Sequence, residues 1–284
     1  VFNTPAGEVR IVERNSTARG WNNKPRIYAS FSTFDVLEDL ANRIDDPALD
    51  VTADDIFRMA EEIFGDWPRG TPDVAVTTAP QTTKARVVLV DQPGAPQSQL
   101  RAVSVSAPRN TPDYEAMRVM NDIFGGLFSS RINMNLREAH GYTYGASSQF
   151  VFRRAAGPFA VATGVRTDVT GPAVTEIMKE LRGIRENPPA GEELSLAKDS
   201  LVRSLPAQFE TSGRVTASTS NIYIYDLGLD YYQKLPARID AVDSAQVKAA
   251  ADKYIVPEKL VVIAVGDRAK VDRKSTRLNS SHGY

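Results

Sequence analysis

Between Thr52 and Phe64 the apolar residues Ile56, Met59, Ala60, Ile63 and Phe64 recur at intervals of three and four, the spacing that lines one face of an α-helix. Thr52 is placed to cap that helix, and Asp54 and Asp55 suit its positive end. Gly65 and Pro68 stop it. The Thr- and Pro-rich stretch from Arg69 to Thr83 then reads as a linker, setting boundaries at residues 71–85 between a first module over 1–70 and a second over 86–268.

The second module opens with period-two and β-branched patterns. Arg86 to Val90 is a compact strand, Asp91-Gln92-Pro93-Gly94 is turn chemistry, and Gln97 to Ala107 alternates, so a strand pair is expected here. Met117, Met120, Ile123 and Phe124 form a helical stripe over Tyr114 to Phe124, which Gly125-Gly126 ends; Ser130 can cap a second helix running to about His140. Tyr144 to Phe152 and Pro158 to Arg166 read as a hairpin or as adjacent antiparallel strands. Val174, Ile177, Met178, Leu181 and Ile184 mark a long helix from about Asp168 to just before Pro188-Pro189. Helical patterns follow over Glu192 to Gln208, Arg214 to Leu227 and Ser244 to Tyr254, and Lys259 to Val265 is a closing apolar strand. Strands and helix clusters without a strict βαβ repeat imply an α+β fold, a largely antiparallel sheet with helices packed on one face. Val1 to Asp50 offers a strand at Glu8 to Glu13 and a helix around Thr33 to Ile44. The abruptly polar tail over 273–284 reads as non-native sequence.

Composition narrows the function. The 284 residues are 42% hydrophobic and 24% charged, an ordinary globular balance with enough apolar material for a sizeable core. A net charge of −1 with no block of like charge argues against nucleic acid or an anionic lipid surface as partner. No stretch is long and apolar enough for a membrane span, and a start at Val1 without Met suggests further chain upstream. Without cysteine there is no disulfide framework, thiolate nucleophile or Cys-ligated metal.

Histidine is almost as scarce. Only His140 and His282 occur, so neither H-E-x-x-H nor H-x-x-E-H can be assembled, and no hydrolytic zinc site is expected within this chain. His140 suits the C-terminal end of its helix. Gly125-Gly126 and Ser129-Ser130 do not make a G-x-S-x-G elbow, and no P-loop or G-x-G-x-x-G follows a strand. What stands out is the run from Gly125 to Phe150, where a double glycine, a helix bearing Arg131 and Arg137, and a strand bearing Tyr142 and Tyr144 bring a cation and a phenol to one helix-to-strand junction. That junction can face a ligand; equally, the arginines can be solvated helix charges and the tyrosines ordinary strand residues.

The string G-G-x-F-x-S-R…N-L-R-E-x-x-G-Y-T-Y-G over this run resembles the signature of the C-terminal domains of pitrilysin/insulinase-family zinc metallopeptidases. The resemblance extends from Val87 through Gln97 to the Val261–Asp267 ending, and Phe64-Gly65-Asp66-Trp67 fits the end of a preceding related domain. It implies the metallopeptidase/mitochondrial-processing-peptidase-like fold, with 1–70 as the partial end of one domain and 86–268 as a complete C-terminal one. It also implies a two-halved chamber in which one half binds zinc and the other supplies an Arg/Tyr pair to the substrate. By the family's spacing that pair falls on Arg137 and Tyr144, with Tyr142 as the alternate. A phenol O–H can hydrogen-bond the oxyanion that develops on a peptide carbonyl during hydrolysis, and a guanidinium can anchor a substrate carbonyl. The expectations are therefore a peptide substrate, a zinc-bearing N-terminal half or partner subunit, zinc only in that half, and no activity for this chain alone. The expected setting is the periplasm or another extracytoplasmic space of a bacterium, with the cytoplasm as the remaining option. A separate inactive partner subunit and a purely structural or assembly domain are the alternatives.

Overall fold

The structure, a computed structural model, describes residues 53–66 and 79–271, and the chain divides into two compact units, Val1–Val74 and Ala75–Tyr284. In the first unit, helix α1 spans Ala53–Phe64. Met59, Ala60, Ile63 and Phe64 are half-buried on it, while Arg58 and Glu62 pair on its exposed side at 3.2 Å. Gly65 closes the helix by donating its N–H to the Glu61 carbonyl. The expected cap at Thr52, the elements before it, most of the linker and the polar tail lie outside the described residues.

The second unit is built on five strands: β1 (Arg86–Asp91), β2 (Gln97–Val105), β3 (Thr143–Phe150), β4 (Pro158–Arg166) and β5 (Val261–Gly266). Their order across the sheet is β1-β5-β2-β4-β3. Three pairings are antiparallel, and β1 runs parallel to β5. The expected opening strand pair is thus corrected: β1 and β2 do not hydrogen-bond each other, because β5, the last strand among the described residues, inserts between them. Asp267, just after β5, accepts from the Gly94 N–H at 3.1 Å and so ties the β1–β2 turn to the end of the intruding strand.

Alternation in the strands places one apolar row under the helices. Leu100 and Ala102 of β2, Phe159, Val161 and Val165 of β4, and Val262 and Ala264 of β5 are all buried, whereas Gln99 and Arg101 point to the open face. On the buried face lie α2 (Tyr114–Asn121), α3 (Arg131–Asn133), α4 (Thr170–Glu186), α5 (Gly191–Ser204), α6 (Ser212–Ile224), α7 (Tyr231–Asp240) and α8 (Ser244–Tyr254). α2 touches β3, α4 touches β2 and β4, and α5, α7 and α8 pack on α2. Met117, Met120, Phe124, Leu136, Leu181 and Leu235 are among the fully buried side chains between them.

Three helices depart from the pattern read in the sequence. α2 widens into a π-helical turn over Asp122–Gly126, and α3 does so over Met134–Ala139, with Leu127 bonding back to the Asp122 carbonyl and His140 to that of Asn135. α7 carries Pro236 in its interior, a residue that argues against a helix by sequence pattern but is held here by burial of Tyr231, Leu235 and Ile239.

Candidate functional site

The junction between α3 and β3 is shaped by residues with small or polar side chains. At Gly125 an added Cβ would lie 2.6 Å from the Ser148 backbone nitrogen and 2.5 Å from its Oγ, so the end of the π turn rests directly on β3 and only glycine fits. The Asn133 carboxamide then bridges the two elements: its Nδ2 donates to the Phe128 carbonyl at 2.6 Å and its Oδ1 accepts from Ala146 N at 3.0 Å. After α3 the chain reverses through Gly141 at φ 60°, a left-handed conformation that glycine adopts without strain.

β3 begins with an irregularity. Its register against β4 shifts between Thr143 and Ala146, which places Tyr144 and Gly145 in a bulge. Thr143 locks that bulge, its hydroxyl accepting from Gly145 N at 3.0 Å and donating to Gly145 O at 2.9 Å, while Thr163 Oγ1 stands 3.0 Å from the same Thr143 hydroxyl. Tyr144 is left at the crest, 91% exposed, on the free edge of the sheet. A rigid base and an exposed phenol make a group that can donate a hydrogen bond outward.

Arg137 sits at the end of the π turn over Met134–Ala139 and is about one-third exposed. Its guanidinium stacks 4.4 Å from the centre of the Phe128 ring and approaches Glu138 at 3.5 Å. Arg137 and Tyr144 thus flank the Gly141 reversal without touching each other. Tyr142, the alternate phenol, is half-buried, packs against the core and has its ring 4.9 Å from His140. His140 terminates the turn with Nδ1 3.0 Å from the Asn135 carbonyl, exposed to solvent.

Other signature residues turn out to hold the scaffold. Arg131 is no solvated helix charge: its Nε and Nη2 each reach the Glu193 carboxylate at 2.6 Å, and Nη1 donates to the Asn187 carbonyl at 2.8 Å. Asn135 Nδ2 donates to Glu176 at 2.9 Å and Glu180 at 2.7 Å, and that bond, with Lys179, holds the Glu176 carboxyl below its usual range. Ser130 occupies the cap position of α3, but its hydroxyl makes no cap bond and is buried without a partner. Among the described residues no group of three or more His, Asp and Glu side chains could hold a metal ion, so the described donors do not fit zinc. No helix among the described residues is long and apolar enough to cross a membrane.

Comparison with known proteins places this geometry among relatives. A family model described as "Peptidase M16 inactive domain" matches residues 50–201, more than half of the chain. Among solved structures, a peptidase M16 inactive domain from Pseudomonas fluorescens superposes with a TM-score of 0.69 at 26% identity, covering 77% of this chain and 52% of that one. A protease from Helicobacter pylori gives 0.67 at 15% identity, covering 76% and 53%. The periplasmic protease PqqL from Escherichia coli gives 0.62 at 15%, covering 77% and 24%. The chain therefore spans about half the length of the first two. A comparison with curated proteins finds no match.

Proposed function

Because the chain belongs to the M16 peptidase family and matches its inactive domain, we propose that it is the non-catalytic, substrate-contacting half of a zinc-dependent endopeptidase acting on peptides. In this reading the zinc is held by another domain or a partner subunit, and this chain supplies Arg137 and Tyr144 to the shared site. The observation that carries the reading is Tyr144, whose phenol stands 91% exposed on a bulge fixed from beneath by Thr143 and Thr163. A donor held on a rigid element is what a developing oxyanion requires, since no reorganisation is then needed at the moment of reaction. The guanidinium of Arg137 has donors to spare beyond Glu138 and can orient a substrate carbonyl from the other side of the Gly141 reversal. The setting proposed with this role is extracytoplasmic, supported by the likeness to the periplasmic PqqL.

The packing of Arg137 on Phe128 favours a second reading, in which the pair braces an assembly domain or inactive subunit and no substrate is touched. Cleavage of a quenched-fluorescent peptide separates the two. The chain is expected to be inactive alone and active when mixed with a zinc-bearing M16 half, and Tyr144→Phe is expected to lower the rate of the mixture on the order of a hundredfold. An unchanged rate for both Tyr144→Phe and Arg137→Ala would exclude substrate contact, and zinc-dependent cleavage by the chain alone would exclude the non-catalytic role.

A further inference from the structure

At the far end of β3 from Tyr144, the second unit carries a partly open cavity of about 530 Å³. Gln149 and Phe150 line it, five and six residues along the strand from Tyr144, so it lies roughly 16–20 Å from the bulge at ordinary strand rise. That volume is within the range that holds a small ligand.

The cavity is lined by a buried cation that makes no ion pair among the described residues. Arg109, in the loop after β2, is 8% exposed. Its backbone N–H is fixed to the Arg153 carbonyl at 2.8 Å, and its Nη2 donates to Tyr231 Oη at 2.6 Å. No carboxylate among the described residues forms an ion pair with it; its nearest acidic neighbours in sequence, Asp113 and Glu115, are instead engaged by Lys253 at 2.7 Å and Arg238 at 3.1 Å. Aromatic faces take the place of an anion: the guanidinium carbon is 3.4 Å from the ring centre of Tyr114, 5.0 Å from that of Tyr231 and 5.9 Å from that of Tyr225. Such faces offset only part of the cost of burying a charge. One of five guanidinium donors is used by a side chain, and Arg109 lines the cavity.

The walls say which anion suits the fork. Arg118 adds a second cation, and the amides of Asn121, Gln149, Gln208 and Asn221 supply neutral donors and acceptors. Phe150, Phe152 and Leu235 give an apolar surface for an organic body. Asp122 lies on the same wall, so a dianion such as phosphate meets a carboxyl group there, while a planar monoanion matches the guanidinium fork with one charge. We propose that this cavity is a carboxylate-binding site, in which Arg109 grips the carboxylate of an organic ligand and the Tyr225–Leu235 side receives its apolar body. The carboxylate can belong to the C-terminus of a peptide or to a small aromatic acid. The site is independent of the Arg137/Tyr144 role, and it is read by binding, not by cleavage.

Isothermal titration of the chain with N-acetyl-Leu-Phe, with its C-terminal amide and with phenylacetate tests the assignment. The free acid is expected to bind at least about tenfold more tightly than the amide, and Arg109→Lys, which keeps the charge but loses the fork, to weaken the acid by a similar factor. Tyr225→Leu, at the cavity wall, gives a second reading should the lysine variant fail to fold, and is expected to weaken binding severalfold. Tighter binding of the dipeptide than of phenylacetate identifies a peptide C-terminus; equal binding of the two acids with the same dependence on Arg109 identifies a small acid. Equal affinity for acid and amide, indifference to Arg109→Lys and Tyr225→Leu, or no binding of either acid up to about 10 mM would overturn the proposal.

Discussion

Arg131 and Glu193 form a two-pronged ion pair, Nε and Nη2 each 2.6 Å from a carboxylate oxygen, that fastens the short helix α3 to the start of α5. The arginine is about one-fifth exposed and the glutamate somewhat more than one-third, so the pair is neither fully screened nor deeply buried. Arg131→Ala is expected to cost about 1–2 kcal/mol, between the values for exposed pairs and for charged hydrogen bonds at partly buried sites. Urea denaturation of the single variants and of Arg131→Ala with Glu193→Gln checks it. A coupling energy near zero would show that the contact contributes nothing.

Gly125→Ala is expected to be among the most damaging conservative changes in the chain. The new methyl would meet Ser148 N at 2.6 Å and Ser148 Cβ at 2.8 Å, and the strand backbone cannot move aside as a flexible side chain could. Overpacking of this kind costs about 1–3 kcal/mol. A thermal midpoint unchanged from that of the parent would show that the π turn can lift off β3.

Asp122 links stability to pH. Burial pushes its carboxyl up to about 6 against the pull of Arg118. The unfolded chain releases this proton near pH 4, while the folded chain holds it until about 6, so the folded state binds more protons across that window. Stability therefore falls as pH rises from 4 to 6 and stays lower above it, by on the order of 2 kcal/mol from this residue. Asp122→Asn is expected to raise stability at pH 7.5 and to change little at pH 4. Denaturation curves for parent and variant at the two pH values check it; equal differences at both would refute the assignment.

Tyr144→Phe is expected to leave stability within about 0.5 kcal/mol of the parent, because the phenol makes no contact that holds the fold. Thr143→Val is expected to loosen the bulge and to lower the assisted peptide cleavage of the mixed halves severalfold while leaving Tyr144 in place. Hydrogen exchange at Gly145, whose N–H the threonine hydroxyl accepts, reports the loosening directly. Protection of Gly145 equal to that of the parent would mean that Thr143 does not fix the phenol.

The sequence made the α+β class readable because its strands alternate cleanly: the buried row of Leu100, Ala102, Phe159 and Val161 is a period-two pattern in plain text. Strand order was not readable. Arg86 to Asp91 and Gln97 to Val105 share turn chemistry with a hairpin, and only the tertiary pairing of β5 with both reveals that another strand comes between them. α7 was missed because Pro236 interrupts a polar run whose three buried residues signal only when the rest of the core is present. At the candidate site, Arg137 and Tyr144 are proposed from a motif, yet Asn133 and Glu193, which position the same junction, carry no local pattern. A short polar side chain that bonds across tens of residues looks, in sequence, like any solvated one.

The insertion of β5 between β1 and β2 has a consequence for how the protein is made. The backbone N–H of Arg268 closes on Asp91 across 177 residues, so a ribosome delivers β1 long before β5. Until that segment emerges, β1 lacks its β5 partner and β2 keeps one side bare, so the nascent chain presents sticky strand edges over that interval. Emergence of Val261–Gly266 becomes the moment at which the sheet can close, and termination anywhere before Val261 leaves a species primed to pair with its neighbours instead of itself.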